Sequence, residues 1–105
     1  MKYCKLEFYV PVNFVEEVKF AVFAAGAGKL GNYDNCCWQT SGSGQFRPLP
    51  GSAPFIGSQE KVEAVEEIKV ELLCPEDKIR DAIAALKKAH PYETPAYQYY
   101  PVSVD

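Results

Sequence analysis

The chain has 105 residues, a formal net charge of −3 and an apolar fraction of 48%. A chain of this length can bury roughly two-thirds of its unfolded surface, so we expect one domain, residues 1–105, with a hydrophobic core. The negative charge argues against a nucleic-acid partner, because general phosphate binders concentrate Lys and Arg. No apolar run has the length of a membrane span, and the N-terminal residues lack the apolar region of a signal peptide. We therefore expect a cytoplasmic protein without a membrane partner.

The first part of the chain predicts a strand, a helix and a second strand. Residues 4–10 alternate apolar and polar side chains, which is the period of a strand with one buried face. Asn13, with a glutamate three residues later, has the pattern of an N-cap in a capping box. An apolar stripe over residues 15–25 predicts the helix, and Gly26 is placed to end it in the left-handed conformation. The second strand is predicted at about residues 33–40.

Four cysteines, Cys4, Cys36, Cys37 and Cys74, form no C-x-x-C pair. A zinc-ribbon site therefore has little support, and a domain with this apolar content does not need disulfides. Cys36 and Cys37 are adjacent on the predicted strand, so their side chains point to opposite faces and cannot chelate one ion together. We predict four reduced and mostly buried thiols, with a thiolate site at the adjacent pair as the alternative.

A loop rich in Gly, Pro and Ser is predicted at residues 41–57, longer than a minimal hairpin needs. Long loops in compact domains are usually functional or disordered. Gly44 could let backbone N–H groups approach a phosphate, and Arg47, beside Phe46, could clamp an anion with its planar guanidinium. No Walker pattern accompanies these residues. The alternative is a loop that folds over a sheet edge or a neighbouring subunit, with Arg47 paired to an acidic residue.

The apolar phase and the chain-breaking residues of the first part recur 64 residues later, where Pro75 occupies the place of Pro11. The repeat predicts a third strand at about residues 67–74, a second helix capped by Asp77, and a tyrosine-rich fourth strand at about residues 96–102. The order βαββαβ, with right-handed crossovers, predicts an α+β ferredoxin-like sandwich: a four-stranded sheet with two helices on one face. The other face is half apolar and uncovered, which predicts packing against another subunit.

Two motifs resemble those of a known family. The first combines GNYD at 31–34, GSGQFRP at 42–48 and PFIG at 54–57, and the second is HPYETP at 90–95. Together they resemble the CutA-like insert domain of the NGG-interacting-factor-three-like family, here as a stand-alone chain. The second motif also resembles CutA proteins, which are trimers implicated in divalent-cation tolerance and are distant structural relatives of the trimeric PII signalling proteins. The resemblance favours a homotrimer. The family's own metal site lies in a flanking domain, on motifs that this sequence lacks.

The second motif contains the candidate metal ligands. His90 is the one histidine of the chain, and imidazole suits Cu, Zn and Ni. Glu93 is its candidate co-ligand. The structural alternatives are a histidine that interacts with the negative end of the second helix and a rigid turn in which Tyr92 packs and Glu93 is exposed or hydrogen-bonded. The predicted ligand-binding residues are Gly44, Phe46, Arg47, Tyr92 and Glu93.

These features predict a small non-catalytic binding or sensor domain for a divalent metal ion or a small anionic ligand. The competing hypothesis is a protein-interaction or oligomerisation module without a small ligand, and a metal-dependent hydrolase relative is the third. Arg47, His90 and Glu93 belong to two separate segments, which one chain need not bring together. We therefore expect a site between subunits, with the loop of one reaching the HPYE turn of the next.

Overall fold

The computed structural model describes residues 2–105, which form a four-stranded antiparallel sheet with two α-helices packed against it. The strands are β1 (Tyr3–Pro11), β2 (Trp38–Phe46), β3 (Glu63–Pro75) and β4 (Tyr97–Val102), and the helices are α1 (Val15–Ala24) and α2 (Ile79–Ala89). The sheet order is β2-β3-β1-β4. This is the predicted ferredoxin-like α+β sandwich. No helix in residues 2–105 is long and apolar enough to cross a membrane.

The core lies between the helices and one face of the sheet, as the alternation of β1 and β3 predicts. Full burial of one aliphatic or aromatic side chain stabilises the fold by about 1.5–3 kcal/mol, so this layer holds the helices on that face. The buried apolar residues of the two central strands are Cys4, Leu6, Phe8, Val10, Ile68, Val70, Leu72 and Cys74. Those of the two helices are Val15, Val18, Val22, Ile79, Ala82, Ile83 and Leu86.

All four cysteines are free thiols, as predicted. Cys4 and Cys74 are buried in the core, while Cys36 and Cys37 are half-buried. Burial raises the pKa of the Cys74 thiol to about 11. Since the thiolate is the reactive form, Cys74 is an inert core residue at neutral pH.

The internal repeat is visible in the backbone. Pro11 and Pro75 have nearly the same dihedral angles, φ −56° and ψ 144° against φ −54° and ψ 139°. Each ends a strand and is followed by a single 3₁₀ turn, Val12–Phe14 or Glu76–Lys78, that leads into a helix. Because the proline ring restricts φ, the same residue turns the chain from sheet to helix in both halves.

The helix caps predicted at Asn13 and Asp77 are wrong. Both residues lie inside the 3₁₀ turns, and no side-chain capping bond is made at the start of either helix. The Val15 N–H donates instead to the Val12 carbonyl, and the second helix begins in the same way. These backbone bonds satisfy donors that a side-chain cap would otherwise have to satisfy.

The predicted end of the first helix is confirmed. Gly26 has φ +112°, and its N–H donates to the Phe23 carbonyl at 3.0 Å. The Ala27 N–H donates to the Val22 carbonyl at 3.3 Å. This pair of bonds is a Schellman motif, in which the left-handed residue is usually glycine.

The second strand lies further along the chain than predicted. It runs over Trp38–Phe46, not residues 33–40, so the loop begins at residue 47. Gly42 pairs with Glu67, and the neighbouring glycines and serines also belong to the ladder. Gly and Ser have low β-propensity, but pairing with the long strand β3 overrides that preference.

Strands β2 and β3 extend beyond the rest of the sheet. Strand β1 reaches only to the Pro11–Glu67 pair, so residues 63–66 pair with β2 alone. These paired ends form a two-stranded ribbon, and the domain is elongated, with extents of 46 × 24 × 22 Å. The loop of residues 47–62 closes the ribbon and folds back over the open face of the sheet, the face without helices.

Candidate functional site

The long loop and the turn that follows α2 meet within one chain. The Ala53 N–H lies 3.1 and 3.3 Å from the two carboxylate oxygens of Glu93. The rings of Phe46 and Tyr92 pack edge to face with centroids 5.8 Å apart. Contrary to the expectation from the sequence, the loop does not need a second subunit to reach the HPYE turn.

These contacts border a cleft of about 730 Å³. Its floor is the open face of β2 and β3, one wall is the loop, and the other wall is the turn. Phe46, Phe55, Ile56 and two prolines make much of the lining apolar, with a few polar groups among them. Small-molecule sites are commonly clefts of about 300–1,000 Å³ with this kind of lining.

Four of the five residues predicted to bind a ligand line the cleft: Gly44, Phe46, Tyr92 and Glu93. Arg47 does not line it and is exposed. Successive side chains of an extended segment point to opposite sides, so the residue after Phe46 faces away from the cleft. His90 also lies outside the lining.

Glu67, which the sequence analysis did not single out, is an enclosed acid in the cleft floor with an exposed fraction of only 9%. One of its oxygens accepts a hydrogen bond from the Tyr92 hydroxyl at 2.7 Å. A Cβ on Gly44 would overlap the carboxylate, so the glycine provides the space that Glu67 occupies.

The sequence carries little sign of this role. Glu67 lies on the same strand face as Lys69 and Glu71, which is a common solvent-facing pattern. Only the register of β2 against β3 shows that Glu67 faces the two glycines of the partner strand.

Tyr92 acts as a fixed hydrogen-bond donor to Glu67. Burial raises the pKa of the Tyr92 hydroxyl well above its usual value, and the hydrogen bond to Glu67 raises it further. The hydroxyl therefore stays protonated at all physiological pH values. A carboxylate has only acceptor atoms when ionised, so the donor–acceptor match is complete at this contact.

His90 is buried behind the turn and uses both ring nitrogens. Nε2 lies 2.7 Å from the Tyr9 carbonyl oxygen, an acceptor, so Nε2 carries the proton. Nδ1 accepts a hydrogen bond from the Tyr92 N–H at 3.1 Å. Burial lowers the pKa of His90, although the Tyr9 hydrogen bond and the charge of Glu67 act against this shift. As a metal ligand, His90 would have to give up one of these bonds.

The acidic side chains do not converge on one point. No group of three or more His, Cys, Asp or Glu side chains within residues 2–105 is placed to hold a metal ion. Glu67 and Glu71 both line the cleft, but they are four residues apart on a strand, which separates their backbones by about 13 Å. Glu93 is engaged with the Ala53 amide. A metal ion in the cleft would therefore not find three ligands of this kind among residues 2–105.

A second polar cluster lies at the centre of the open face. Glu7 is only 7% exposed and accepts hydrogen bonds from Tyr100 and Gln98, each at 2.8 Å. The Lys69 ammonium is 3.8 Å from the same carboxylate. The Tyr100 bond, then the Gln98 bond, lowers the pKa of Glu7 despite its burial, so the group is charged at neutral pH. At the sheet edge, Trp38 is 70% exposed.

No protein-family model matches the chain. A GTP cyclohydrolase 1 type 2 homolog from Halalkalibacterium halodurans is 43% identical over 99 residues, which are 94% of this chain and 27% of that protein. The crystal structure of a Bacillus cereus protein related to NIF3 has a TM-score of 0.84 at 38% identity, covering 98% of this chain and 26% of that one. The chain is a homologue of one part of these NIF3-related proteins. It spans about a quarter of the length of these relatives.

More distant structures share the fold of this CutA-like domain. The periplasmic divalent cation tolerance protein CutA from Archaeoglobus fulgidus has a TM-score of 0.67 at 16% identity, covering 98% of this chain and 86% of that chain. Bacillus subtilis GlnK, solved as an ATP complex, has a TM-score of 0.64 at 10% identity, covering 96% and 82%. At such identities the likeness shows the ferredoxin-like fold alone, and it confirms the CutA-like and PII-like architecture expected from the sequence.

Proposed function

We propose that the CutA-like domain is a small non-catalytic binding module. It takes a ligand in the cleft between the open face of the sheet, the long loop and the HPYE turn. The observation that carries the proposal is the cleft itself, which has the volume and the mixed apolar and polar lining of a ligand site. The fold shared with CutA and GlnK fits this class of protein. The activity in the name of the GTP cyclohydrolase homologs refers to proteins about four times as long, and we do not extend it to this domain.

The charges around the cleft favour a cation over an anion. The lining contains three carboxylates, Glu67, Glu71 and Glu93, but one ammonium, Lys69. Arg47, which the sequence analysis proposed as an anion clamp, faces elsewhere. A cleft lined mainly by one sign of charge concentrates ligands of the opposite sign. Of the two ligand classes expected from the sequence, the divalent cation therefore fits better than the anion.

His90 and Glu93 are assigned to positioning in this proposal. His90 ties the Tyr9 carbonyl at the end of β1 to the Tyr92 N–H in the turn. Glu93 holds the loop through the Ala53 amide. Both groups keep the cleft walls in place without needing to contact a ligand.

Nuclear magnetic resonance titration tests the proposal, with the amide signals of Gly44 and Thr94 as reporters of the cleft. The probes are magnesium and zinc salts, ATP, inorganic phosphate, and small organic amines, alcohols and acids. We expect at least one cationic probe to shift the cleft amides more strongly than phosphate or ATP does. The proposal is rejected if no probe shifts these signals.

Two glycine variants provide a matched pair for the same titration. Gly44→Ala places a methyl group against the Glu67 carboxylate, so we expect it to displace that group and weaken binding. Gly42→Ala adds the same methyl group two residues away in the lining of the same cleft, where a Cβ meets open space and leaves Glu67 in place. It should weaken binding less than Gly44→Ala does. Equal weakening in both variants would show that the position of Glu67 does not matter for binding.

The open face favours a second role, association with further copies of the chain. We propose that the part of this face beside the cleft, which carries Trp38 and Tyr100, is covered in a homo-oligomer, and the CutA resemblance selects a trimer. The exposed Trp38 and the half-exposed Tyr100 give the face apolar area, and the enclosed Glu7 is already paired within its own chain. Burial of this part of the face would leave Glu7 paired with Lys69 and hydrogen-bonded to Tyr100. If the cleft takes no ligand, this interaction-module function stands without it.

A further inference from the structure

We propose that the cleft binds a protonated organic amine, with the ammonium group on Glu67 and the carbon skeleton against Phe46, Phe55 and Ile56. The inference rests on the proposed function, because it names the ligand class of the same cleft.

Glu67 offers a free acceptor inside an enclosed site. One carboxylate oxygen, Oε2, is engaged by the Tyr92 hydroxyl. The other, Oε1, lies over Gly44 and receives no hydrogen bond from any group within residues 2–105. Within residues 2–105, every side-chain oxygen or nitrogen that is fully buried has a hydrogen-bond partner. Since Oε1 has no such partner, it is not fully buried. Oε1 is therefore reachable from the cleft, although nine-tenths of its residue is buried.

The charge of Glu67 has no protein counter-ion within 4 Å in residues 2–105. The nearby Lys69 ammonium lies 3.8 Å from Glu7 on the open face. An enclosed carboxylate is costly unless a cation pairs with it. A ligand that brings a positive charge to Oε1 would supply the missing partner.

The surroundings of Oε1 suit an ammonium group better than a metal ion. Hard divalent cations take about six or more oxygen ligands and hold water strongly. Around Oε1 the walls are largely apolar, and the Glu71 carboxylate of the same lining belongs to a residue about 13 Å away along the strand. An ammonium needs few acceptors, and a charge-assisted hydrogen bond to a carboxylate is strong. The rings of Phe46 and Tyr92 beside it can also attract a cation through their faces. The apolar loop residues can then cover a hydrocarbon chain.

Three probes with the same six-carbon chain test the inference: hexylammonium, hexan-1-ol and hexanoate. Their affinities are measured from the cleft amide shifts at pH 7. We expect hexylammonium to bind at least about tenfold more tightly than hexanol, since a charged hydrogen bond replaces a neutral one. Hexanoate should bind most weakly. Equal affinity for hexanol, or tighter binding of hexanoate, overturns the inference.

Glu67→Gln and Glu66→Gln form the matched variants. The first removes the charge in the cleft while keeping the side-chain size, and should reduce the affinity for hexylammonium to that for hexanol. The second makes the same change one residue earlier on β3, at an exposed position on the other face, and should keep the wild-type preference. A preference that survives Glu67→Gln contradicts the assignment of the ammonium to Glu67. If that variant does not fold, the wild-type ranking of the three probes still decides.

The outcomes separate this inference from the proposed function. If a metal salt or phosphate shifts the cleft amides and none of the six-carbon probes does, the amine inference fails and the binding function stands. If no probe of either set shifts them, both fail.

Discussion

His90 lies behind the cleft, and both of its ring nitrogens are engaged within the protein. The ring is neutral, buried and held at both nitrogens, between the Tyr9 carbonyl and the Tyr92 N–H. Protonation would put a second N–H at Nδ1, directly against the Tyr92 N–H. The hydrogen bonds and the burial therefore all require the neutral form with the proton on Nε2.

The acid sensitivity of the fold follows from this arrangement. The pKa of His90 is lowered from 6.5 in the folded chain, so below about pH 6.5 the unfolded chain binds more protons and the stability falls as the pH falls. We expect a loss of up to about 1.4 kcal/mol per pH unit from this one group. Urea unfolding at pH 7.5, 6.0 and 5.0 measures it.

His90→Asn should be less stable than the wild type at pH 7.5 but should lack this dependence, since the chain has one histidine. Glu7→Gln is the control. The pKa of Glu7 is lowered from 4.5, so its own contribution is lost only below about pH 4.5, and this variant should keep the wild-type slope between pH 6.5 and 5.0. A His90→Asn protein with the wild-type slope would show that another group titrates.

The repeated unit of strand, 3₁₀ turn and helix ends differently in its two copies. The first helix closes with the left-handed Gly26, while α2 ends at His90, whose backbone is extended at φ −71° and ψ 135°. The first ending returns the chain towards β2. The second leads into the proline-flanked turn that walls the cleft. Of the two helices, α2 is thus the one whose end leads to the cleft.

Gly26→Val should lower the free energy of unfolding by more than about 1 kcal/mol, because a β-branched residue is strained at positive φ. The added Cβ would also lie 3.2 Å from Cγ of Lys78. Gly42→Val is the matched control, since its backbone is not left-handed, its Cβ meets open space and valine favours strands. Chemical denaturation of both variants measures the difference. A near-neutral Gly26→Val would contradict the Schellman ending.

The domain as a whole has two unlike faces. Helices cover one face of the sheet, and the open face presents the Glu7 cluster, the cleft and the exposed Trp38. Closed symmetric assemblies are the common way in which such faces are buried. Strand β2 is at the sheet edge, so its backbone also offers unpaired hydrogen-bonding groups to a neighbour.

Light scattering at micromolar concentration should give about three times the 11.7 kDa mass of one chain if the trimer proposal holds. Trp38→Glu should shift the mass towards the monomer, because it places a charge on the open face. Phe20→Glu changes a side chain that is equally exposed, at 74%, but lies on α1 at the helix side. It should leave the mass unchanged. A wild-type monomer would reject association, and a dimer would reject only the trimer.

Four residues of the cleft lining were predicted from the sequence as ligand-binding residues. Gly44, Phe46, Tyr92 and Glu93 stood out by residue type and motif, and all four line the cleft. Arg47 belongs to the same motif as Phe46, but it is exposed and does not line the cleft. Local composition thus indicated which segments matter, while the direction of each side chain depended on strand phase, which a run of Gly and Ser does not specify.

The sheet–helix layering follows from local patterns in the chain. The alternation of β1 and β3 and the helical stripes place apolar side chains on one side of each element, and burial of those sides leaves few ways to stack them. The contacts of the Glu67 side chain with Gly44 and Tyr92, and of Ala53 with Glu93, join residues that are far apart in sequence. Only the register of β2 and the return of the loop over the sheet decide these contacts. They depend on the packing of the whole domain, because no single segment contains both partners.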